Sequence, residues 1–230
     1  MPNATFGSAN RAGAFRPFGR WHCVEQGVDM ARVFITGSST GLGLAAAQSL
    51  LAAGHDVVLH ARNVERTAAL AAQVPQALAI VTGDLSLLSE TRDLADAVNA
   101  IGRMDAVIHN AGLYGASGRG RTAEGHSVMT AVNLLAPYVL TACIERPGRL
   151  VYMSSRLHRG GTSAPVDIAT GQATQSWLAA SDDEAAQTSG GYWHAMRREE
   201  PAFPAASADY GDRLLTALQA ITGASIGIGS

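Results

Sequence analysis

The sequence predicts an α/β domain built on a doubly wound, Rossmann-like parallel sheet. Short runs rich in Val, Ile and Leu alternate with longer stretches rich in Ala and Leu, and a glycine-rich turn follows the first short run. Strands that are separated by helices of about 10 to 20 residues specify parallel βαβ units. The length of 230 residues and the 47% of hydrophobic residues suit one such domain with a buried core. We therefore expect a single domain.

The strands and helices follow one another in order from residue 30. Each strand is a short apolar run with turn-forming residues after it, and each helix is a longer run rich in Ala, Leu and charged residues. We predict strands at residues 31–36, 56–61, 77–82, 105–110 and 149–154. We predict the helices between them at residues 43–53, 64–74, 89–101 and 122–144. After the fifth strand the alternation fades, and only helices at 170–179 and 209–222 are predicted.

The N-terminal segment differs in texture from the rest. Residues 1–29 carry Gly, Pro, Asn and Arg without a periodic apolar pattern, so we expect a flexible leader before a domain at 30–230. No run in the chain reaches the roughly 18 apolar residues of a membrane span. The net charge of −2 and the scattered arginines give no surface for nucleic acid or anionic lipid. With only two cysteines, we expect a cytoplasmic protein without disulfides. The seven histidines show no metal-ligand spacing, so no metal is expected.

The strongest local signal is the glycine-rich turn between the first strand and the first helix. Glycines let backbone N–H groups approach a pyrophosphate, and the helix that follows presents its positive N-terminal end to the anion. An ordinary βα turn is the alternative interpretation. The dinucleotide-binding residues predicted in this turn are Thr36, Gly37, Ser39, Thr40, Gly41, Leu42 and Gly43.

The end of the second strand carries a basic residue. An acid at this place reads the ribose of NAD(H), whereas an arginine accommodates the 2′-phosphate of NADP(H). The strand ends with Arg62 and no acid, and Asp56 lies at its opposite end. The sequence therefore favours NADP(H) over NAD(H), the alternative being that Arg62 is a solvated charge.

The TGxxxGxG spacing of the turn resembles that of the short-chain dehydrogenase/reductase family. The resemblance extends to two further turns that follow strands. Asp84 and Leu85, after the third strand, resemble the family's adenine-contacting segment. Asn110, Ala111 and Gly112, after the fourth strand, resemble its NAG motif. The resemblance implies that all of these residues contact the cofactor.

Two further residues resemble the family's catalytic groups. Asn133 matches its active-site asparagine, and Ser155, the second of a serine pair after the fifth strand, matches its catalytic serine. The resemblance implies hydride transfer between a nicotinamide and a small-molecule carbonyl or alcohol, with Ser155 bonding the substrate oxygen and Asn133 supporting proton relay. The resemblance is compatible with a homo-oligomer but does not specify the oligomeric state.

The sequence departs from the family after Ser155. The family's Tyr-x-x-x-Lys pair is absent, because all 17 Lys and Arg residues of the chain are arginines. The tail from residue 189 onward resembles that of retinol-dehydrogenase-like members, so the catalytic helix and the sixth strand are expected to be missing between 158–161 and 164–167. Tyr192 is expected in an exposed tail, and an apolar stripe at Val128, Val132, Leu135 or Val139 is expected to face solvent. An NADP(H)-binding pseudoenzyme is the alternative to an active oxidoreductase.

Overall fold

The structure is a computed structural model that describes residues 30–155, 167–200 and 208–227. The predicted leader at 1–29 and the junction where we expected a missing segment lie outside these residues. The strands are β1 (Arg32–Ile35), β2 (Asp56–Ala61), β3 (Ala79–Thr82), β4 (Ala106–His109), β5 (Arg149–Tyr152), β6 (Tyr192–His194) and β7 (Arg197–Glu199). The helices are α1 (Gly41–Ala52), α2 (Val64–Gln73), α3 (Leu88–Ile101), α4 (Val128–Thr130), α5 (Ala136–Cys143), α6 (Ile168–Ala180) and α7 (Ala208–Thr222). A 3₁₀ turn spans Gly115–Gly118, and a π-helical segment, Ala131–Leu135, joins α4 to α5.

The main sheet confirms the predicted fold class. Its five strands are all parallel and lie in the order β3-β2-β1-β4-β5. From β1 the chain winds to β2 and β3 on one side and then to β4 and β5 on the other. The carboxyl ends of β1 and β4 therefore flank the point where the winding reverses, which is where doubly wound sheets bind their ligands.

Helices cover both faces of this sheet. Val33 and Ile35 pack against α1, α2 and α6, whereas Phe34 between them packs against α3 and α5. All three are fully buried. Successive side chains of a strand point to opposite faces, so a strand covered on both faces has a continuous apolar run. This is why the first strand stands out in the sequence.

The predicted helix at 122–144 begins too early. The structure forms a tight turn before the helix, in which the N–H of Thr122 donates to the carbonyl of His126 at 2.8 Å and that of Gly125 donates to the carbonyl of Thr122 at 2.9 Å. Gly125 has a φ of +86°, a left-handed conformation that glycine adopts without strain. The turn satisfies its own backbone groups, so the helix starts at Val128.

The expectation of an exposed tail around Tyr192 is wrong. Residues of this tail form an antiparallel hairpin, β6–β7. Trp193 of the hairpin packs edge-to-face on Trp177 of α6, with ring centroids 5.0 Å apart. The hairpin turn is made by Ala195 and Met196 at φ of 49° and 59°, which hid it from glycine-based turn prediction.

The expected apolar stripe does not face solvent, because α7 covers part of it and the core takes up another part. Val132 is 7% exposed and packs with Phe34 and α3, and Val128 is half-buried. Leu135 and Val139 are 1% and 0% exposed and pack with Leu218 of α7. The Tyr138 hydroxyl donates to the carbonyl of Ala224, just after α7, at 3.0 Å. The C-terminal helix thus closes the surface that the sequence left open.

Candidate functional site

The glycine turn after β1 is hydrogen-bonded to the residues that follow β4, on the other side of the reversal point. The Thr36 hydroxyl accepts hydrogen bonds from the backbone N–H groups of Asn110 and Ala111, both at 3.0 Å. The Asn110 amide donates to the carbonyls of Thr36 at 3.0 Å and Gly37 at 3.2 Å. The ends of β1 and β4 are therefore one rigid unit, built from residues that the sequence predicted as cofactor-binding.

Two of the turn glycines are required by this packing. A Cβ on Gly37 would lie 2.9 Å from the Cα of Ala111, and one on Gly43 would lie 2.4 Å from the Nδ2 of Asn110. Gly41 differs: its φ is +61°, and a Cβ there would meet no atom of the described residues within 4 Å. The turn thus closes against β4 at two glycines and opens to solvent at the third.

The open glycine lies at the N-terminus of α1. The first N–H groups of an α-helix have no partner within the helix. Thr40, the N-cap residue, is exposed and gives them no side-chain hydrogen bond, and no acidic side chain stands in the first turn. Leu42 turns away toward α6, where a Cβ on Gly171 would approach its Cδ2 to 2.8 Å. Half-buried Ser39 completes the turn. Within the described part of the chain, the first N–H groups of α1 thus have no side-chain acceptor at its positive end.

The ends of β2 and β3 lie beside this turn. Arg62 is exposed and makes no ion pair within the described ranges. The Asp84 carboxylate accepts the N–H of Ser86 at 2.9 Å, and its own N–H donates to Glu90 at 2.7 Å, so its loop has a defined shape. Leu85 is 5% exposed and belongs to the core, so only its backbone can reach a cofactor.

A residue that the sequence analysis passed over, His60, joins these two loops. Its Nδ1 accepts the N–H of Gly37 at 2.9 Å, and its Nε2 lies 2.8 Å from the carbonyl oxygen of Gly83. The ring is 3% exposed. Burial lowers the pKa of His60, against smaller opposing effects of the Gly83 carbonyl and Asp84. Its position inside a predicted strand gave no sign of this role.

Asn133 and Ser155 extend the same edge of the sheet. Asn133 lies in the π-helical segment, where its Oδ1 accepts the N–H of Leu113 and its Nδ2 donates to the Leu113 carbonyl, both at 2.8 Å. It thereby holds the chain just after Gly112. Ser155 is exposed and follows β5, whose neighbour is β4. Ser155 thus lies on the segment that follows β5, and Asn133 is hydrogen-bonded to the segment that follows β4.

A polar network around the buried ring of His109, at the carboxyl ends of β4 and β5, was also missed. The Thr141 hydroxyl of α5 lies 2.7 Å from the Tyr152 hydroxyl and 3.2 Å from the Nε2 of His109. The His109 and Tyr152 rings stack at 4.7 Å. Burial lowers the pKa of His109 to about 4. Partial desolvation raises the pKa of Tyr152, with a smaller opposing effect of the hydrogen bond with Thr141. The network joins β4, β5 and α5.

Across 30–155, 167–200 and 208–227, no group of three or more His, Cys, Asp or Glu side chains could hold a metal ion. None of the helices in these ranges is both long and apolar enough to cross a membrane.

Known proteins share the sequence pattern. A family model described as short chain dehydrogenase matches residues 31–188, more than half of the chain. An uncharacterized oxidoreductase of Emericella nidulans is 52% identical over 135 residues, which are 57% of this chain and 53% of that protein. Retinol dehydrogenase 14 of Mus musculus is 31% identical over 151 residues, 56% of this chain and 45% of that protein. The chain spans about half the length of these curated relatives.

The fold is found in a solved structure as well. The crystal structure of a blue fluorescent protein from a metagenomic library, in complex with NADPH, superposes with a TM-score of 0.50 at 23% identity and covers 60% of this chain and 61% of that chain. The likeness confirms the Rossmann-like fold. The family match and the relatives confirm the resemblance that the TGxxxGxG turn first indicated. This chain belongs to the short-chain dehydrogenase family.

Proposed function

We propose that this protein binds NADP(H) at the carboxyl edge of its sheet and is an oxidoreductase acting on a small-molecule carbonyl or alcohol. One observation carries the proposal: the glycine turn is held by Thr36 and Asn110 at the reversal point, yet opens at Gly41 onto the N-terminus of α1. At Gly37 and Gly43 the turn packs closely against Ala111 and Asn110, whereas the described residues leave the space beside Gly41 open. A turn of this shape fits a pyrophosphate.

The neighbouring loops fit the other parts of the cofactor. The N–H groups that begin α1 would donate to the pyrophosphate oxygens, because the helix has no side-chain cap. The Arg62 guanidinium would bond the 2′-phosphate, since it is exposed and has no ion-pair partner among the described residues. Asp84 lies at the end of β3, on the far side of β2 from the turn, where the adenosine would end.

The reacting end would lie against the segments after β4 and β5. The nicotinamide supplies the hydride when the cofactor is bound. The Ser155 hydroxyl would donate a hydrogen bond to the substrate oxygen and stabilise negative charge developing there. Asn133 uses part of its carboxamide on the Leu113 backbone, which leaves one N–H and one lone pair for a water that relays protons.

Turnover by the 230 residues is expected to be slow. The chain has no lysine, so the Tyr-x-x-x-Lys pair of the family is absent from it. A positioned proton donor contributes typically about 10²–10⁴-fold to such a reaction. The oxidoreductase relative at 52% identity favours turnover over the alternative of a cofactor-binding pseudoenzyme.

Fluorescence titration with NADPH and NADH tests the cofactor proposal. We expect NADPH to bind more tightly, and Arg62→Ala to reduce the ratio of the two affinities by about tenfold or more, since a charge-assisted hydrogen bond contributes about 1.5–3 kcal/mol. Arg66→Ala, an exposed arginine one turn into α2, is the matched control and should keep the preference. Equal affinities in the wild type, or an unchanged preference in Arg62→Ala, would refute the assignment.

Oxidation of NADPH with a panel of aldehydes and ketones tests the reaction. Ser155→Ala should abolish it while leaving the dissociation constant of NADPH unchanged, because the hydroxyl bonds the substrate and not the dinucleotide. Ser154→Ala, the other exposed serine of the pair, should keep the rate. Tight NADPH binding without turnover of any carbonyl or alcohol would support the pseudoenzyme instead.

A further inference from the structure

The imidazole of His60 is the contact shared by the glycine turn and the β3–α3 loop. Its Nδ1 lies 2.9 Å from the N of Gly37, and its Nε2 lies 2.8 Å from the O of Gly83. The backbone of the same residue is tied to the turn as well: the His60 N–H donates to the Ser38 hydroxyl at 2.8 Å, and the Ser38 N–H donates to the His60 carbonyl at 3.2 Å. One residue thus sets the distance between the two loops.

The two side-chain partners dictate the protonation state of the ring. The Gly37 backbone N–H can only donate, so Nδ1 must carry a lone pair. The Gly83 carbonyl can only accept, so Nε2 must carry the proton. A second proton on Nδ1 would set two N–H groups against each other at 2.9 Å and break the bond to Gly37. The observed turn therefore requires a neutral ring.

Few charges surround the ring to oppose this requirement. The glycine turn and α1, on one side, contain no titratable residue. On the other side Asp84 acts on the ring and favours its protonated form, but burial outweighs it and lowers the pKa of His60. Glu90 accepts the N–H of Asp84 at 2.7 Å, and Arg62 and Glu65 on the segment that follows β2 are exposed.

We infer that His60 is a positioning residue for the dinucleotide, whose neutral imidazole holds the pyrophosphate turn and the adenosine loop in one geometry and makes cofactor affinity fall in acid. The inference rests on the proposed function. Protonation would release Gly37, whose carbonyl also anchors Asn110, so the turn would lose its shape where the pyrophosphate binds. By linkage, a cofactor that needs the neutral ring must also lower the pKa of that ring.

Titration of the His60 ring by NMR, with and without saturating NADPH, is the direct test and needs no variant. We expect the apparent pKa of this ring to fall when NADPH is added. An apparent pKa that stays the same or rises would overturn the inference. Failure of the wild type to bind NADPH near neutral pH would instead overturn the proposed function, and the inference with it.

Variants give a second, independent readout. In His60→Asn the Oδ1 can still accept from Gly37 and cannot be protonated in this range. The ratio of wild-type to His60→Asn dissociation constants for NADPH should rise as the pH is lowered from about 7.5 to about 5, and the titration of the ligand itself cancels in that ratio. His55→Gln is the matched control, since His55 is also buried with a pKa lowered by burial but lies at the opposite end of β2. A ratio that stays constant, or one that His55→Gln reproduces, would overturn the inference.

Discussion

Replacing His109 by glutamine should make the folded protein less sensitive to acid. The pKa of His109 is about 4 in the folded chain, against 6.5 for an unburied histidine, because the ring is 4% exposed. Below about pH 6.5 the unfolded chain takes up a proton that the folded chain refuses, so stability is lost as the pH falls. Above about pH 6.5 both states are neutral at this site, and the residue adds no pH dependence.

The magnitude follows from the shift. One pKa unit corresponds to about 1.4 kcal/mol. At about pH 5 the folded ring, with its pKa of about 4, is still mostly neutral, so only the roughly 1.5 pH units between 6.5 and 5 contribute. The free energy of unfolding therefore falls by about 2 kcal/mol between about pH 7.5 and about pH 5. Glutamine keeps an N–H near the position of Nε2, where it can still meet Thr141, and it removes the titrating ring. It also removes the Nδ1 atom, which is buried without a hydrogen bond among the described residues.

Urea unfolding at the two pH values, followed by circular dichroism, measures the effect. Every other group that titrates is shared by the wild type and the variant, so the difference between their two losses isolates His109. We expect His109→Gln to lose about 2 kcal/mol less than the wild type on acidification. An equal loss in wild type and His109→Gln would show that the ring is not buried in its neutral form.

Two further predictions concern the glycine turn and the loop before α4. Gly41→Val should abolish dinucleotide binding and lower the free energy of unfolding by about 1–3 kcal/mol, because valine does not adopt a left-handed backbone easily. The control is Gly54→Val, at φ +89° near the other end of α1, where the described residues also leave room for a side chain. It should lower stability by a similar amount and keep binding in the same titration. Binding that survives Gly41→Val would make the loop a mere turn. The Glu124 carboxylate accepts the N–H groups of Leu88 at 2.8 Å and Ser89 at 3.3 Å, and so caps α3, whose own N-cap residue supplies no side-chain hydrogen bond. Glu124→Ala should therefore lower the free energy of unfolding, measured in urea, by about 0.5–2 kcal/mol. Glu184→Ala, an exposed acid without a side-chain hydrogen bond in the described chain, is the comparison, and an equal small cost for both would contradict the cap.

The fold class, the glycine turn and the family could all be predicted from the residue types and their order along the chain. The local periodicity of apolar residues predicts the alternating strands and helices, and glycine predicts a turn that needs a left-handed backbone, as at Gly41. The five strands of the main sheet therefore lie close to the predicted runs, and both helices predicted after Ser155 are present. The same local logic failed where local signals were weak, as in the hairpin turn made by Ala195 and Met196.

Which side chains hold the site together depends on how the strands and helices pack. His60 binds Gly37 and Gly83, which stand 23 residues away on either side along the chain. Thr141 meets His109, 32 residues away, and α7 covers Leu135 and Val139. Such contacts arise when parallel strands bring their carboxyl ends to one edge and helices settle on the faces between them. No local pattern encodes them, because a hydrogen bond depends on which element becomes a neighbour and not on the residues beside it in sequence.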